Sequence, residues 1–200
     1  MDFQYVASLL DGTSIAQLAS VVKILWVKAG KLLPVDTGGK IRSFNLLREL
    51  DARSPVTLLS YYGGARDRDY ERQLVDAFPH AVPVHTRAGD SIGAVTFDYV
   101  RKVLRRVPFA VSKFTSPGVR RLVAEWDAAR RFDVFVCDFL SASMNFPRRL
   151  HTPTVLFQHN VESILWRRQA STECQPLKRL VYRLEAAKMD RYERLAVRRF

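Results

Sequence analysis

The stretch VVKILWVKAGKLLPVDTGGKIRSFNLLREL, residues 21–50, decides the fold class of this chain. The apolar run at residues 21–27 predicts a buried strand, and residues 28–37 read as the loop that follows it. Gly38 and Gly39 then open a helix, because apolar residues recur after them at helical spacing. These apolar positions are Ile41, Phe44, Leu47 and Leu50. A strand, a glycine-containing loop and an amphipathic helix, in this order, are typical of the first unit of a doubly wound α/β sheet.

The rest of the chain alternates in the same way between short apolar runs and longer helical patterns. Further strands are predicted at residues 56–61, 81–85, 132–139 and 153–158. Helices are predicted at residues 65–78, 91–107 and 119–131, and a long helix from Leu177 runs to the last residue, Phe200. This alternation predicts an α/β, Rossmann-like parallel sheet with helices on both faces, in one domain at residues 21–200 after an N-terminal extension at residues 1–20.

Length and charge narrow the classes of partner. The 200 residues fit one sizeable α/β domain, and Lys plus Arg exceed Asp plus Glu by 32 to 20, a net charge of +12. Such a charge indicates an anionic partner: nucleic acid, a lipid headgroup layer or a phosphorylated small molecule. The two cysteines, Cys137 and Cys174, match no zinc or redox spacing, so we expect free thiols, a cytoplasmic location and no bound metal. No apolar run is long enough to cross a membrane.

The loop VDTGGK, residues 35–40, is the first candidate ligand site. It joins a strand to a helix at the carboxyl edge of the predicted sheet, where open α/β folds bind ligands. Gly38 and Gly39 let a phosphate approach the backbone, and the N–H groups at a helix start attract anions. Ile41 excludes a P-loop, and the GxGxxG fingerprint is absent. The alternative interpretation is a glycine-rich turn with no ligand.

The segment FQHNVE, residues 157–162, ends a predicted strand at the same edge. Asn160 is predicted to cap the following helix, with Glu162 in its first turn. His159 is a candidate hydrogen-bonding residue for a sugar hydroxyl or a phosphate oxygen. The alternative interpretation is a buried histidine whose ring nitrogens are satisfied within the protein.

Basic residues form the third candidate feature. Seven cations lie between Arg101 and Arg121, and a second set lies between Arg167 and Arg199. A membrane-surface patch is predicted in the first set, at Arg101, Lys102, Arg105 and Arg106. The alternatives are solvated helix faces and a nucleic-acid surface. We do not expect nucleic acid as the partner, because no RNP, helix-turn-helix or zinc motif accompanies the charge.

Taken together, these segments resemble the N-terminal domain of family 4 retaining glycosyltransferases, which have the GT-B fold. The similarity is greatest to the bacterial sugar transferases of exopolysaccharide and exosortase-linked loci, and it spans residues 23–200. The resemblance is carried, in the expected order, by KILW (23–26), DTGGKIRSFNLLREL (36–50), VPFAVSKF (107–114), FDVFVCDF (132–139) and QHNVE (158–162).

The resemblance implies a set of roles for these residues. Gly38 and Gly39 would approach the diphosphate of a nucleotide-sugar donor, and His159 would be catalytic, near the donor sugar and the acceptor. The remaining cleft or acceptor residues would be Lys40, Arg42, Asn160 and Glu162. The nucleotide-sugar is a substrate, so no cofactor is implied.

The resemblance also implies an activity and its setting. The enzyme would pass a sugar to a glycan or lipid-linked acceptor in cell-envelope polysaccharide synthesis, at the cytoplasmic face of the plasma membrane. The donor-binding half lies beyond this sequence, so residues 1–200 alone are expected to be inactive. Two alternatives stay open: a sugar epimerase of the same fold, and a noncatalytic basic module that binds anions or membranes.

Overall fold

A computed structural model describes residues 22–86 and 106–200. The first part contains β1 (Ile24–Ala29), α1 (Gly38–Asp51), β2 (Val56–Tyr62), α2 (Arg68–Ala77) and β3 (Val82–His85). The second part contains α3 (Phe109–Ser112), α4 (Pro117–Ala128), β4 (Val134–Asp138), a 3₁₀ helix (Leu140–Asn145), β5 (Thr154–Phe157), α5 (Glu162–Thr172) and α6 (Pro176–Val197).

The five strands form one parallel sheet in the order β3-β2-β1-β4-β5. Strand β1 pairs on both sides, so that Leu25 lies beside Thr57 of β2 and Phe135 of β4. The chain steps outward from β1 to β2 and β3, then crosses to β4 and β5 on the other side. The order in which the chain adds strands therefore reverses between β1 and β4, and open α/β sheets bind ligands at the carboxyl ends of the strands at such a switch point. The predicted Rossmann-like parallel sheet is confirmed.

Alternate residues of β1 belong to cores on opposite faces of the sheet. Trp26 joins a cluster with Leu47 of α1 and Leu74 of α2. Leu25 joins the other cluster, with Val123 of α4 and the ring of Phe146. Because side chains alternate across a strand and both sides are covered, β1 reads as a nearly continuous apolar run. The prediction of helices on both faces is confirmed.

Strand β1 begins later and ends later than predicted. It starts at Ile24 rather than at residue 21 and includes Lys28, which the sequence pattern assigned to the loop. Lys28 is only 5% exposed and forms an ion pair with Asp138 of β4 at 3.0 Å. A charged residue fits inside this strand because its counter-charge comes from the neighbouring strand.

The last helix also departs from the prediction. Helix α6 ends at Val197, so the prediction that it runs to Phe200 is wrong. The Phe200 ring instead turns back to contact Phe146, with 5.3 Å between ring centroids. Packing of this aromatic ring on Phe146 stabilises a chain end that departs from the helix axis.

The buried face of α6 is not formed by its regularly spaced leucines. Leu180, Leu184 and Leu195 are 53%, 45% and 55% exposed. The buried positions are Glu185, Ala186, Met189, Glu193 and Ala196. The two acids are buried because they accept hydrogen bonds: Glu185 from the N–H of Phe109, and Glu193 from α5.

The predicted helix at residues 91–107 falls almost wholly outside the described residues. So do Arg101, Lys102 and Arg105, while Arg106 is described and exposed. Within residues 22–86 and 106–200, no helix is long and apolar enough to cross a membrane. Both cysteines are free thiols as predicted, with Cys137 buried and Cys174 exposed.

Candidate functional site

The glycine pair forms the first turn of α1, at the carboxyl end of β1. Thr37 is the N-cap, and its hydroxyl accepts from the N–H of Lys40 at 3.4 Å. No described atom accepts a hydrogen bond from the N–H of Gly38 or Gly39. A Cβ on Gly38 would meet nothing within 4 Å. The start of α1 is therefore open to an incoming anion, which the helix dipole and the free N–H groups favour.

A hollow of about 380 Å³ lies in front of this turn, and three lysines line it. Its other lining residues include Thr37, Gly39 and Phe139. Each ammonium is held by one carboxylate, and each has three N–H donors, so donors remain for a ligand. The pairs are Lys28 with Asp138 at 3.0 Å, Lys31 with Asp67 at 2.7 Å, and Lys40 with Asp36 at 2.8 Å.

Asp138 ends β4 and is the most deeply buried acid of the site. Its Oδ2 accepts from Lys28 Nζ at 3.0 Å and from Trp26 Nε1 at 3.1 Å. Its Oδ1 has no hydrogen-bond partner and lies 3.8 Å from His159 Nε2. The carboxylate thus fixes the Lys28 ammonium at the edge of the hollow through Oδ2, while Oδ1 remains able to accept a hydrogen bond.

His159 follows β5 and is packed beside Asp138. Its side chain is 3% exposed and lies edge-on to the rings of Phe139 and Phe157, with centroids 4.2 Å and 4.3 Å away. Nε2 lies 3.3 Å from the Ser43 hydroxyl, while Nδ1 is buried without a partner. Burial lowers the pKa of His159 from its usual value, against the opposing effect of Asp138, and so favours the neutral ring.

The contacts of His159 exclude one familiar mechanism. In a nucleophilic triad the hydroxyl and the carboxylate bond opposite nitrogens of the ring. Ser43 and Asp138 both lie near Nε2. This cluster is therefore not arranged to activate Ser43 as a nucleophile.

Unpartnered polar atoms also set the cluster apart. Buried polar side-chain atoms are nearly always hydrogen-bonded in folded proteins. Over residues 22–86 and 106–200, two such atoms lack a partner, Asp138 Oδ1 and His159 Nδ1. Both lie in this cluster. The interpretation of His159 as a fully satisfied core residue does not fit the free Nδ1.

Phe139 is a site residue that the sequence pattern did not reveal. Its φ of 67° and ψ of 161° fall in a region that favours glycine. Such backbone strain costs about 1–3 kcal/mol and tends to occur at functional sites. The ring would lie 3.2 Å from a Cβ on Gly39, so Gly39 must lack a side chain for the ring to sit there. The N–H of Phe139 donates to the Phe157 carbonyl at 2.9 Å, which holds the strained residue in place.

The predicted cap of α5 is wrong. Val161 occupies the N-cap position, and no side chain of this segment caps the helix. Glu193 of α6 takes this role, accepting from the N–H of Glu162 at 2.6 Å and of Ser163 at 3.1 Å. It also accepts from Gln158 Nε2 at 2.7 Å. A carboxylate at a helix N-terminus is favourable, and its position 31 residues away along the chain hid it from local sequence reasoning.

Of the remaining predicted residues, Asn160 lines a hollow, whereas Arg42 and Glu162 line neither the hollow at α1 nor the one beside His159. Arg42 is exposed on α1 and, with Lys28, lowers the pKa of His159. Asn160 lines a second hollow of about 620 Å³ together with His159 and Glu193. Glu162 lies half-buried at the start of α5, where burial and then the charge of Glu193 raise its pKa. His159 stands between the hollows, since its ring lies 3.9 Å from a Cβ built on Gly39.

Comparison with models of known protein families and with curated protein sequences gives no match for this chain. Within the described ranges, no three His, Cys, Asp or Glu side chains form a group that could hold a metal ion.

Proposed function

We propose that this domain is the acceptor-side half of a retaining sugar transferase of the GT-B type, acting on a nucleotide-sugar donor and a glycan or lipid-linked acceptor. The observation that carries the proposal is the open first turn of α1 facing a lysine-lined hollow, with His159 beside it. Support comes from the switch point of the sheet and from the order of motifs along the chain.

The donor diphosphate is assigned to the hollow at Gly38 and Gly39. Free N–H groups and the helix dipole contribute about 0.3–1 kcal/mol for each charge placed there. The ammonium groups of Lys28, Lys31 and Lys40, which line the hollow, add further donors. Because negative charge grows on a departing diphosphate, fixed donors at this position stabilise the transition state more than the ground state.

His159 is assigned to the boundary between donor and acceptor. Its neutral ring has one nitrogen committed near Ser43 and one nitrogen free. A sugar hydroxyl or a phosphate oxygen that reached Nδ1 would satisfy it, and the route to the ring would be the hollow that His159 lines with Asn160. Lys40, Arg42 and Asn160 are assigned to the walls of the cleft. Glu162, half-buried at the start of α5, is assigned to the same cleft.

The proposal includes a second domain that carries the nucleotide-sugar pocket, because transfer needs both substrates held together. Its experiment assays residues 1–200 and the same chain extended through any downstream reading frame, with a panel of nucleotide-sugars and a membrane extract as acceptor. We expect transfer by the extended chain and none by residues 1–200. Transfer by the short chain that depends on Gly38 or His159 would show that the domain layout is wrong.

The same assay separates the alternatives. An epimerase would convert a nucleotide-sugar without any acceptor. A noncatalytic module would leave every nucleotide-sugar unchanged in the extended chain while still binding diphosphate at α1. Either result would replace the transferase proposal.

A further inference from the structure

A groove rich in arginine lies on the sheet face that α4 covers, away from α1. It is formed by the start of α4, the 3₁₀ helix, the chain after it and the last turns of α6, and encloses about 580 Å³. Five guanidinium side chains line it and no acidic side chain does, among the described residues. They are Arg106, Arg120, Arg148, Arg191 and Arg199. We call this the arginine groove.

Over the described residues, no carboxylate lies within salt-bridge distance of any of the five arginines. Elsewhere on the described surface some arginines are paired, such as Arg121 with Glu125 and Arg53 with Glu49, and others are not. The groove is distinguished by its five guanidinium groups, which line one hollow whose described lining holds no acid. A cleft lined by one sign of charge attracts counter-ions, so an anion from outside the chain is the ligand that the groove favours.

Arg199 fixes one wall of the groove. Its guanidinium donates to the carbonyls of Phe146 at 2.5 Å and Pro147 at 2.8 Å. Burial lowers the pKa of Arg199, and the nearby charges of Arg120 and Arg148 add to this effect. The charges of Arg120 and Arg148 thus act unfavourably on that of Arg199, and a bound anion would offset this repulsion.

The floor of the groove is apolar, with Met144, Phe146, Leu195 and Phe200 among its lining residues. A guanidinium presents a planar fork of donors that matches phosphate oxygens, and phosphate recognition favours arginine for this reason. An adjoining apolar floor suits the carbon skeleton that a phosphate ester carries.

We propose that the arginine groove binds a phosphate ester, with the phosphate among the guanidinium groups and its organic substituent on the apolar floor. The chemistry is shared by a lipid headgroup and by a soluble organic phosphate. This site is independent of the diphosphate hollow at α1, and it does not rest on the proposed transferase activity.

The experiment compares two double variants of residues 1–200 that remove the same charge. Arg120→Gln with Arg191→Gln empties two positions of the groove, whereas Arg121→Gln with Arg53→Gln removes two arginines that are 80% and 79% exposed and already paired. Binding is measured to vesicles of roughly one quarter phosphatidylglycerol in phosphatidylcholine, and to glycerol 3-phosphate by calorimetry. Thermal melts check that both variants fold.

Each cation near a phosphate contributes about fivefold to affinity, so the groove variant should bind ~25-fold more weakly than the control variant. A loss confined to vesicles identifies a lipid headgroup, and a loss with glycerol 3-phosphate identifies a soluble ester. Arg120→Lys with Arg191→Lys should show an intermediate loss, because the charge stays and the fork is removed. Equal weakening in both double variants, or no binding of either probe by the wild type, overturns the proposal.

Discussion

Replacing Gly38 with valine should weaken the binding of a diphosphate at α1 without harming the fold. The position is the first of the helix, its φ is not in the left-handed region, and a Cβ there meets nothing within 4 Å. A substitution of Gly39 would not be a clean test, because a Cβ at that position would lie 3.2 Å from the Phe139 ring and disturb its packing. Valine at position 38 therefore changes what reaches the backbone N–H groups and little else.

The magnitude follows from the charge that loses contact. A diphosphate brings about two to three negative charges, each stabilised by about 0.3–1 kcal/mol at a helix N-terminus. Excluding it should cost about 1–2 kcal/mol, or a ~5–30-fold weaker affinity. Valine has a higher helix propensity than glycine by about 0.4 kcal/mol, so Tm should change by no more than about 2 °C.

The assay is a titration with inorganic pyrophosphate, followed by NMR on protein labelled with ¹⁵N-glycine. With nine glycines in the chain, the Gly39 signal can be resolved and assigned. Gly118→Val is the matched control, since Gly118 lies in the first turn of α4, with only Ser116 Oγ near its Cβ, at 3.9 Å. If the Gly39 signal of folded Gly38→Val titrates like that of the wild type, the glycine pair is a turn and not a ligand site.

Three further predictions concern the buried polar groups. Asp138→Asn leaves the Lys28 ammonium buried without a counter-charge, so the free energy of unfolding in urea should fall by about 3–5 kcal/mol, and adding Lys28→Met should restore most of it. Glu193→Ala removes the acceptor for the first turn of α5 and should cost about 1–3 kcal/mol. The lowered pKa of His159 means that the unfolded chain binds its proton first, so stability should fall as pH drops from 7 through that pKa, and His159→Asn should remove this part of the slope.

Each of these has a control and a contradictory outcome. Glu49→Ala removes an exposed acid and should change stability by less than about 0.5 kcal/mol. A Glu193→Ala loss no larger than this would mean that water replaces the carboxylate. If Asp138→Asn and its double variant are equally unstable, the ion pair is not the cause. Parallel pH curves for wild type and His159→Asn would assign the slope to other groups.

Local patterns were enough to predict the sheet and the start of α1. Each apolar run or helical pattern can be recognised within one short segment, as the apolar run of β2 at Val56–Tyr62 shows. Thr37 and the glycines mark the start of α1 by their own chemistry. Buried strands and helix starts are therefore visible without knowledge of distant partners.

The polar chemistry of the site was not visible in the same way, because its partners are far apart in sequence. Lys28 and Asp138 are separated by 110 residues, and Ser43 and His159 by 116. A lysine in an apolar run and a glutamate on a long helix look like surface residues until the fold brings their partners to them. The sequence predicted that His159 lies at the carboxyl edge of the sheet, but its neighbours Asp138 and Ser43 and the unpartnered atoms appear only in three dimensions.

The unusual backbone at Phe139 sets strain in the main chain against contacts made by the ring. Phe139→Gly would relax the backbone, but it would also remove the ring that lines the hollow at α1 and packs on His159. Strain of about 1–3 kcal/mol is smaller than the roughly 3–5 kcal/mol that a packed aromatic side chain contributes, so the aromatic residue is the more stable choice at this position. Relatives that keep the hollow should therefore carry an aromatic residue here.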